Sequence, residues 1–323
     1  MNNYVGVDLG GTTLRVAVVD TETGKLFGFT ETQALAREGQ AAVIARMAAI
    51  INQVVTGSGI PRREIGGAGI GLPGMLDMEN GVVRFLTNLP GHWLNVPLQK
   101  AIEASTGLPT RLINDVRAMT LGEWKHGAGL GVDTIACFAI GTGVGGGLVI
   151  NGRLNLGIDG TAGELGHQVI DANGPRCGCG SRGCLEVYAS GPAIGAMGVK
   201  AVMQGMTTSI GALVDYDLNC ITSKVIYQAA ISGDAIALSI FEQAGCYLGV
   251  AVSNVLVSVG PRKVVIGGGV AQAGDLLLGP IRKTVRDLVH CMPVEQVEIV
   301  PAALGTHAGL IGAAVWAGLQ LGA

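Results

Sequence analysis

The residues best equipped for chemistry sit in one short segment. Glu164-Leu165-Gly166-His167 is followed by Cys177-Gly178-Cys179-Gly180-Ser181-Arg182-Gly183-Cys184-Leu185-Glu186. Together they supply one imidazole and three thiols, spaced His-x9-Cys-x-Cys-x4-Cys. Soft thiolates with an imidazole favour a four-coordinate Zn2+, and the glycines let short loops wrap it. His167, Cys177, Cys179 and Cys184 are therefore expected to hold a structural Zn2+ with no coordination position left open. The segment has little apolar content, so metal binding would contribute much of its folding free energy. Glu164 lies three residues before His167, and Glu186 two after Cys184. A metal that orders the loop would fix both carboxylates, and fixed carboxylates suit hydrogen bonding to the hydroxyls of a polyol such as a sugar.

Two glycine-rich turns offer a second chemistry. Asp8-Leu9-Gly10-Gly11-Thr12-Thr13 places an acid and two hydroxyls around a Gly-Gly turn at a strand end. Backbone N–H groups there could approach a phosphate, and Asp8 could hold Mg2+ or its waters. Gly141-Thr142-Gly143-Val144-Gly145-Gly146-Gly147 offers another backbone cradle and hydroxyl. Either turn alone could be an ordinary glycine hairpin; their recurrence favours a pair of phosphate loops. GxxxxGK[ST] is absent, which excludes a P-loop NTPase. GxGxxG occurs at residues 69–74 and 141–146, but Pro73 breaks the first and the second runs on into a strand pattern, so neither marks a dinucleotide site. Asn114-Asp115 stands where a strand pattern gives way to a helical one. Asp115 suits either a helix cap or a general base on an attacking hydroxyl. Asn88-Leu89-Pro90-Gly91-His92-Trp93 adds an amide and an aromatic in a Pro/Gly loop.

The elements that must position these groups alternate between α and β. Strand patterns cover Val5–Leu9, Leu14–Asp20, Lys25–Glu31, Gly66–Leu72 and Thr110–Asn114, with helical spacing over Ala41–Val54, Leu98–Thr106 and Val116–Lys125. The scheme restarts with strands Thr134–Ile140 and Gly145–Ile150. A long loop over about 152–190 follows, then helices Ile221–Ser232, Asp234–Val259, Leu276–His290 and His307–Leu319, and strands Lys263–Gly267 and Val297–Pro301. Two related α/β lobes are expected. Glycine makes up 53 of 323 residues; 49% are hydrophobic and only 14% charged, which excludes a disordered chain. A net charge of −3 leaves no electrostatic footprint for nucleic acid. No signal peptide is visible, and the seven cysteines, an odd number, argue against a disulfide framework. The uncharged stretches Gln243–Pro261 and Ile299–Ala323 are expected to be buried helices rather than membrane spans. A cytoplasmic protein is expected.

In order, DLGGTT, GLPG, NLPGHW, ND, GTGVGGG, ELGH, CGCGSRGCLE, ASG and VVIGGG resemble the ROK family of sugar kinases and sugar-sensing repressors. The resemblance runs from Val5 to about Ala317 and is closest to the glucokinase branch. It implies two ribonuclease-H-like lobes of the actin-like ATPase/hexokinase superfamily, with an inserted zinc-binding loop at 164–186. The smaller lobe would span 1–117, joined by the C-terminal helix at about 306–323, and the larger would span 118–305. It further implies an ATP- and Mg2+-dependent hexose 6-kinase, most simply for glucose, working as a homodimer or homotetramer without nucleic acid or membrane. Fructose, N-acetylmannosamine, N-acetylglucosamine or allose are alternative substrates. A sugar-sensing regulator is a more distant one, since no helix-turn-helix precedes Asp8. By matching positions, Asp8, Gly10, Gly11, Thr12 and Thr13 form the first phosphate loop, and Gly141, Thr142 and Gly143 the second. Gly267, Gly268 and Gly269 lie near adenine and ribose. The resemblance implies that Asp115 is the base on the 6-hydroxyl. Gly74, Asn88, Asn114, Asp115, Glu164, His167 and Glu186 surround the sugar, and His167 serves both metal and sugar. Arg117 departs from the family pattern, and either points into solvent or alters the charge around Asp115.

Overall fold

β-Branched runs broken by glycine turns build the framework. In the computed structural model, which describes residues 1–86, 90 and 93–322, the chain opens with a meander of β1 (Asn3–Leu9), β2 (Thr13–Asp20) and β3 (Leu26–Gln33). Val5, Val7 and Leu9 alternate along β1 and are fully buried, as the two-residue period of a strand requires. Helix α1 (Gln40–Gly57) turns Val43, Met47 and Ile51 into the same core at helical spacing. Next come β4 (Ile65–Leu72), the short strands β5 (Met75–Asp77), β6 (Val82–Phe85) and β7 (Leu94–Val96), then α2 (Leu98–Thr106), β8 (Thr110–Asn114) and α3 (Asp115–His126). The main sheet has the order β3-β2-β1-β4-β8; its first three strands are antiparallel, and β1, β4 and β8 run parallel.

The second half repeats this scheme. Strands β9 (Ile135–Ile140) and β10 (Val144–Ile150) form an antiparallel hairpin. After the short strand β11 (Arg153–Leu154) come the helices α4 (Glu186–Ala189), α5 (Gly191–Met203), α6 (Ser223–Ile231) and α7 (Ala235–Val259). Strands β12 (Lys263–Gly267) and β13 (Glu298–Pro301) flank α8 (Asp275–Leu288), and α9 (Ala308–Leu321) ends the fold. Strands β10, β9, β12 and β13 lie in that order, with β9, β12 and β13 parallel. A hairpin extended by two parallel strands thus occurs twice.

The chain divides into two compact units: Met1–Asp133 with Gly152–Gly163 and Ala303–Ala323, and Thr134–Asn151 with Glu164–Ala302. The expected boundary at 117 falls inside α3, which belongs wholly to the first unit. The reason is its packing on α9. A Cβ on Gly312 would overlap the Ala118 carbonyl oxygen, so the two helices meet backbone to backbone. The C-terminal segment from Ala303 belongs to the same unit as α3. Glu123 of α3, fully buried, secures it by accepting the N–H groups of Ala303 (3.0 Å), Leu304 (2.8 Å) and Ala128 (2.9 Å).

Of the two uncharged stretches, the first lies largely in α7. Among the described residues α7 alone is long and apolar enough to cross a membrane, and half of its most apolar stretch is buried in the second unit. The second is divided between β13 and the 14-residue α9.

Candidate functional site

His167 ends a single 3-10 turn over Leu165–His167, closed by its own N–H to the Glu164 carbonyl at 3.0 Å. The Cys177 and Ser181 backbones pair at 2.9 Å, and Ile170 N–H reaches the Gly183 carbonyl at 2.9 Å. These short turns bring the four expected ligands together, with their donor atoms all within 4.8 Å of one another. His167 Nδ1 lies 3.7 Å from Cys177 Sγ, and Cys179 Sγ lies 3.7 Å from Cys184 Sγ. A tetrahedron with metal–sulfur bonds of about 2.3 Å has sulfur–sulfur edges of about 3.8 Å, so the donor set fits Zn2+. Burial and the neighbouring thiols push the Cys184 thiol up to about 12. Backbone donation, chiefly from Ser181, pulls Cys179 down. A divalent cation would offset the cost of crowding three sulfurs. With Nδ1 on the cluster side, the Nε2 of His167 remains for another partner.

In the first unit, the turn between β1 and β2 is closed by Gly10 N–H to the Thr13 carbonyl at 2.9 Å, with the Thr12 and Thr13 hydroxyls 3.4 Å apart. Asp8, at the end of β1, is ion-paired to Arg15 at 3.3 Å, and Arg15 also holds Glu31 at 2.6 Å. Burial pushes the Asp8 carboxyl above its ordinary value, and Arg15 only partly offsets it. Asp8 supplies a carboxylate and the turn that follows it two hydroxyls, hard oxygens of the kind Mg2+ accepts while keeping waters.

The cap that the sequence offered to Asp115 falls to Asn114. Asn114 is the cap of α3: its Oδ1 accepts the Val116 and Arg117 N–H groups at 3.1 and 3.3 Å. That leaves its Nδ2 as the donor for a ligand. Asp115 is the first helical residue, half-buried, where the helix dipole favours a carboxylate. Arg117 does not point into solvent. It is 3% exposed, and its Nε donates to the Ala162 carbonyl at 2.9 Å, tying the 152–163 segment to α3.

In the second unit, the Gly141–Gly143 turn joins β9 to β10, and Gly141 N–H closes it on the Gly143 carbonyl at 2.9 Å. Gly267 ends β12, and Gly268 presses on Ile140 at a positive φ of 88° that suits glycine alone. The second phosphate-loop candidate and the Gly267–Gly269 turn therefore abut. Glu186 heads α4, and its Oε2 accepts Val144 N–H at 3.0 Å. Gly74 sits at φ 89° just before β5, where a side chain would overlap the Phe85 carbonyl. Asn88, with most of its Pro/Gly loop, lies outside the described residues. Sequence reasoning missed the anchoring roles of Glu123 and Glu186; both act on backbone N–H groups remote in sequence, which leave no motif.

Comparison with known proteins agrees with these motifs. The ROK family profile matches residues 4–319. The chain belongs to the ROK family. It is 41% identical over 314 residues to a glucokinase of Thermotoga maritima, covering 96% of this chain and 95% of that one. A solved ROK family glucokinase from Streptomyces griseus, in complex with glucose and AMPPNP, is 33% identical with a TM-score of 0.80 over 97% of this chain and 98% of that one. The ROK hexokinase from Thermus thermophilus is 30% identical with a TM-score of 0.81 over 99% of both chains. ROK membership places the chain in the α/β fold of actin-like ATPases and hexokinases.

Proposed function

We propose that this protein is an ATP-dependent glucokinase, transferring the γ-phosphoryl group of ATP to the 6-hydroxyl of glucose. The observation that carries this reading is the 41% identity to a glucokinase across 96% of the chain. The motif positions of the sugar kinase pattern support it. Phosphoryl transfer demands positioning and charge neutralisation more than covalent help. In this reading the backbone of Gly10–Thr13 and of Gly141–Gly143 cradles the phosphates, while Gly267–Gly269 lies against adenine and ribose. Asp115 accepts the proton of the 6-hydroxyl as that oxygen attacks. Asn88, Nδ2 of Asn114, Glu164, Nε2 of His167 and Glu186 hydrogen-bond the sugar's hydroxyls in place of water, and Gly74 lines the site.

Asp8 with Thr12 and Thr13 would hold Mg2+, which when bound neutralises charge on the phosphates. His167, Cys177, Cys179 and Cys184 would hold a structural Zn2+. The enzyme is proposed to be a cytoplasmic homodimer or homotetramer. An ADP-release assay over a panel of hexoses tests the substrate: glucose should give the highest kcat/KM, and preference for fructose, allose or an N-acetylated hexose would overturn the assignment. ADP release independent of any sugar would overturn the kinase reading itself.

A further inference from the structure

Glu186 has a second task, distinct from contact with a sugar. Its Oε2 accepts Val144 N–H at 3.0 Å, and a Cβ on Gly143 would overlap that same oxygen. Its Oε1 lies 4.0 Å from Cys177 Sγ. One side chain therefore spans from the Cys/His cluster to the Gly141–Gly143 turn. Other supports converge on that turn. Gly141 accepts Gly191 N–H at 2.8 Å from the start of α5, and Gly166, next to His167, lies so close that a Cβ would overlap the Val144 carbonyl. The turn is thus braced by 164–167, before the cysteines, and by 184–191, after them. Among these supports only Glu186 supplies a charge, and a carboxylate accepting a backbone N–H makes one of the stronger hydrogen bonds.

We propose that Glu186 is a positioning residue for the ATP phosphate loop: its Oε2 pins the Gly143–Val144 turn in the shape that receives nucleotide, whether or not sugar is bound. Gly143 is then glycine because the carboxylate fills the space of a side chain. The inference rests on residues 141–143 being the phosphate loop of the kinase proposed above.

The test is the affinity for AMPPNP with Mg2+, measured by calorimetry without sugar on the metal-containing protein. Glu186→Ala should weaken binding about tenfold or more, the scale of a lost charge-assisted hydrogen bond, while Glu186→Gln, which keeps an acceptor for Val144 N–H, stays within about threefold. Gly143→Ala should be costly in the parent and much less so in the Glu186→Ala background, where the overlap is gone. If Glu186→Ala loses its metal or fold, Glu186→Asp decides, since it keeps the charge and withdraws it from Val144. Unchanged AMPPNP affinity with weakened glucose binding, or additive costs in the Gly143 pair, would overturn the proposal. A parent protein that binds AMPPNP but phosphorylates no hexose would refute the proposed function and leave this role standing.

Discussion

Asp115 occupies the first turn of α3, where Asn114 serves as the cap and the Asp115 Oδ1 accepts the Val116 N–H at 2.9 Å. A carboxylate oriented in this way at a helix N-terminus suits a general base. Asp115→Ala is expected to lower kcat by about 10²–10⁴-fold, the usual scale for a positioned proton acceptor, with glucose binding retained. Calorimetry with glucose alongside turnover checks both halves; substantial turnover would remove Asp115 from the mechanism. Arg117 belongs to the same scale. A guanidinium that is 3% exposed and donates to Ala162 cannot be shortened cheaply. Arg117→Ala should destabilise the protein by about 3 kcal/mol, because it removes a buried guanidinium together with the charge-assisted hydrogen bond it donates, and urea titration reads this directly.

At the scale of elements, the Cys/His loop and the caps hold the second unit. Three sulfurs and an imidazole within 4.8 Å repel or strain one another unless a cation joins them. Chelation should therefore lower the melting temperature and loosen residues 164–186 first, as hydrogen exchange would reveal; a metal-free protein melting normally would contradict the zinc assignment. Helix α7 gives a cleaner electrostatic case. Asp234 is its cap, accepting Ala237 N–H at 2.9 Å, Ser209 N–H at 2.6 Å, and the hydroxyls of Thr208 and Ser209 at 2.9 and 2.8 Å. Burial raises its carboxyl, but these donors outweigh it and bring the value to about 2. A lowered value means that the stabilisation is complete above the unfolded carboxyl's range and is lost as pH falls through about 2. Asp234→Ala should cost about 1 kcal/mol near neutral pH, with the gap from the parent narrowing below about pH 4 in urea titrations.

The same scale shows what the sequence could disclose. Strands such as Lys263–Gly267 and Thr110–Asn114 were legible to the residue because their β-branched runs end at glycine or at a capping Asn-Asp pair. The Cys/His cluster was legible because loop spacing is itself the constraint. The sheet β5-β6-β7 was not, since strands of three or four residues are too short to show a period. Nor was α5, whose glycines at 191, 195 and 198 weaken a helical pattern and are tolerated because α6 and its approach pack against them. Gly195 faces the Ile221 carbonyl, and Gly198 the Ile226 side chain.

Across the whole molecule, the first unit is assembled from three stretches of chain, the last of them beginning at Ala303. Such a unit is complete only when its C-terminal segment returns, and the return has an anionic latch. Glu123 is fully buried and spends both oxygens on N–H groups, Oε1 on Leu304 and Oε2 on Ala128 and Ala303. Beyond the latch, α9 lays Ile311, Ala314 and Val315 against Tyr4 and Val19, and Ala313 and Trp316 against Ile113, Ala118 and Leu121. Breaking the latch removes the charged acceptor of two remote backbone N–H groups, at exposed Ala303 and half-buried Leu304, where hydrogen bonds to a charged group contribute about 1.5–3 kcal/mol each. Glu123→Ala should therefore destabilise the protein by about 3 kcal/mol or more, while Glu123→Gln, which keeps one good acceptor, should recover part of the loss. The decisive measurement is where the loss falls. Hydrogen exchange should accelerate across α9 and α3 and across β1, which carries Tyr4, well before the second unit responds. Uniform acceleration over both units would show that Glu123 supports the molecule as one cooperative body and is not a local latch.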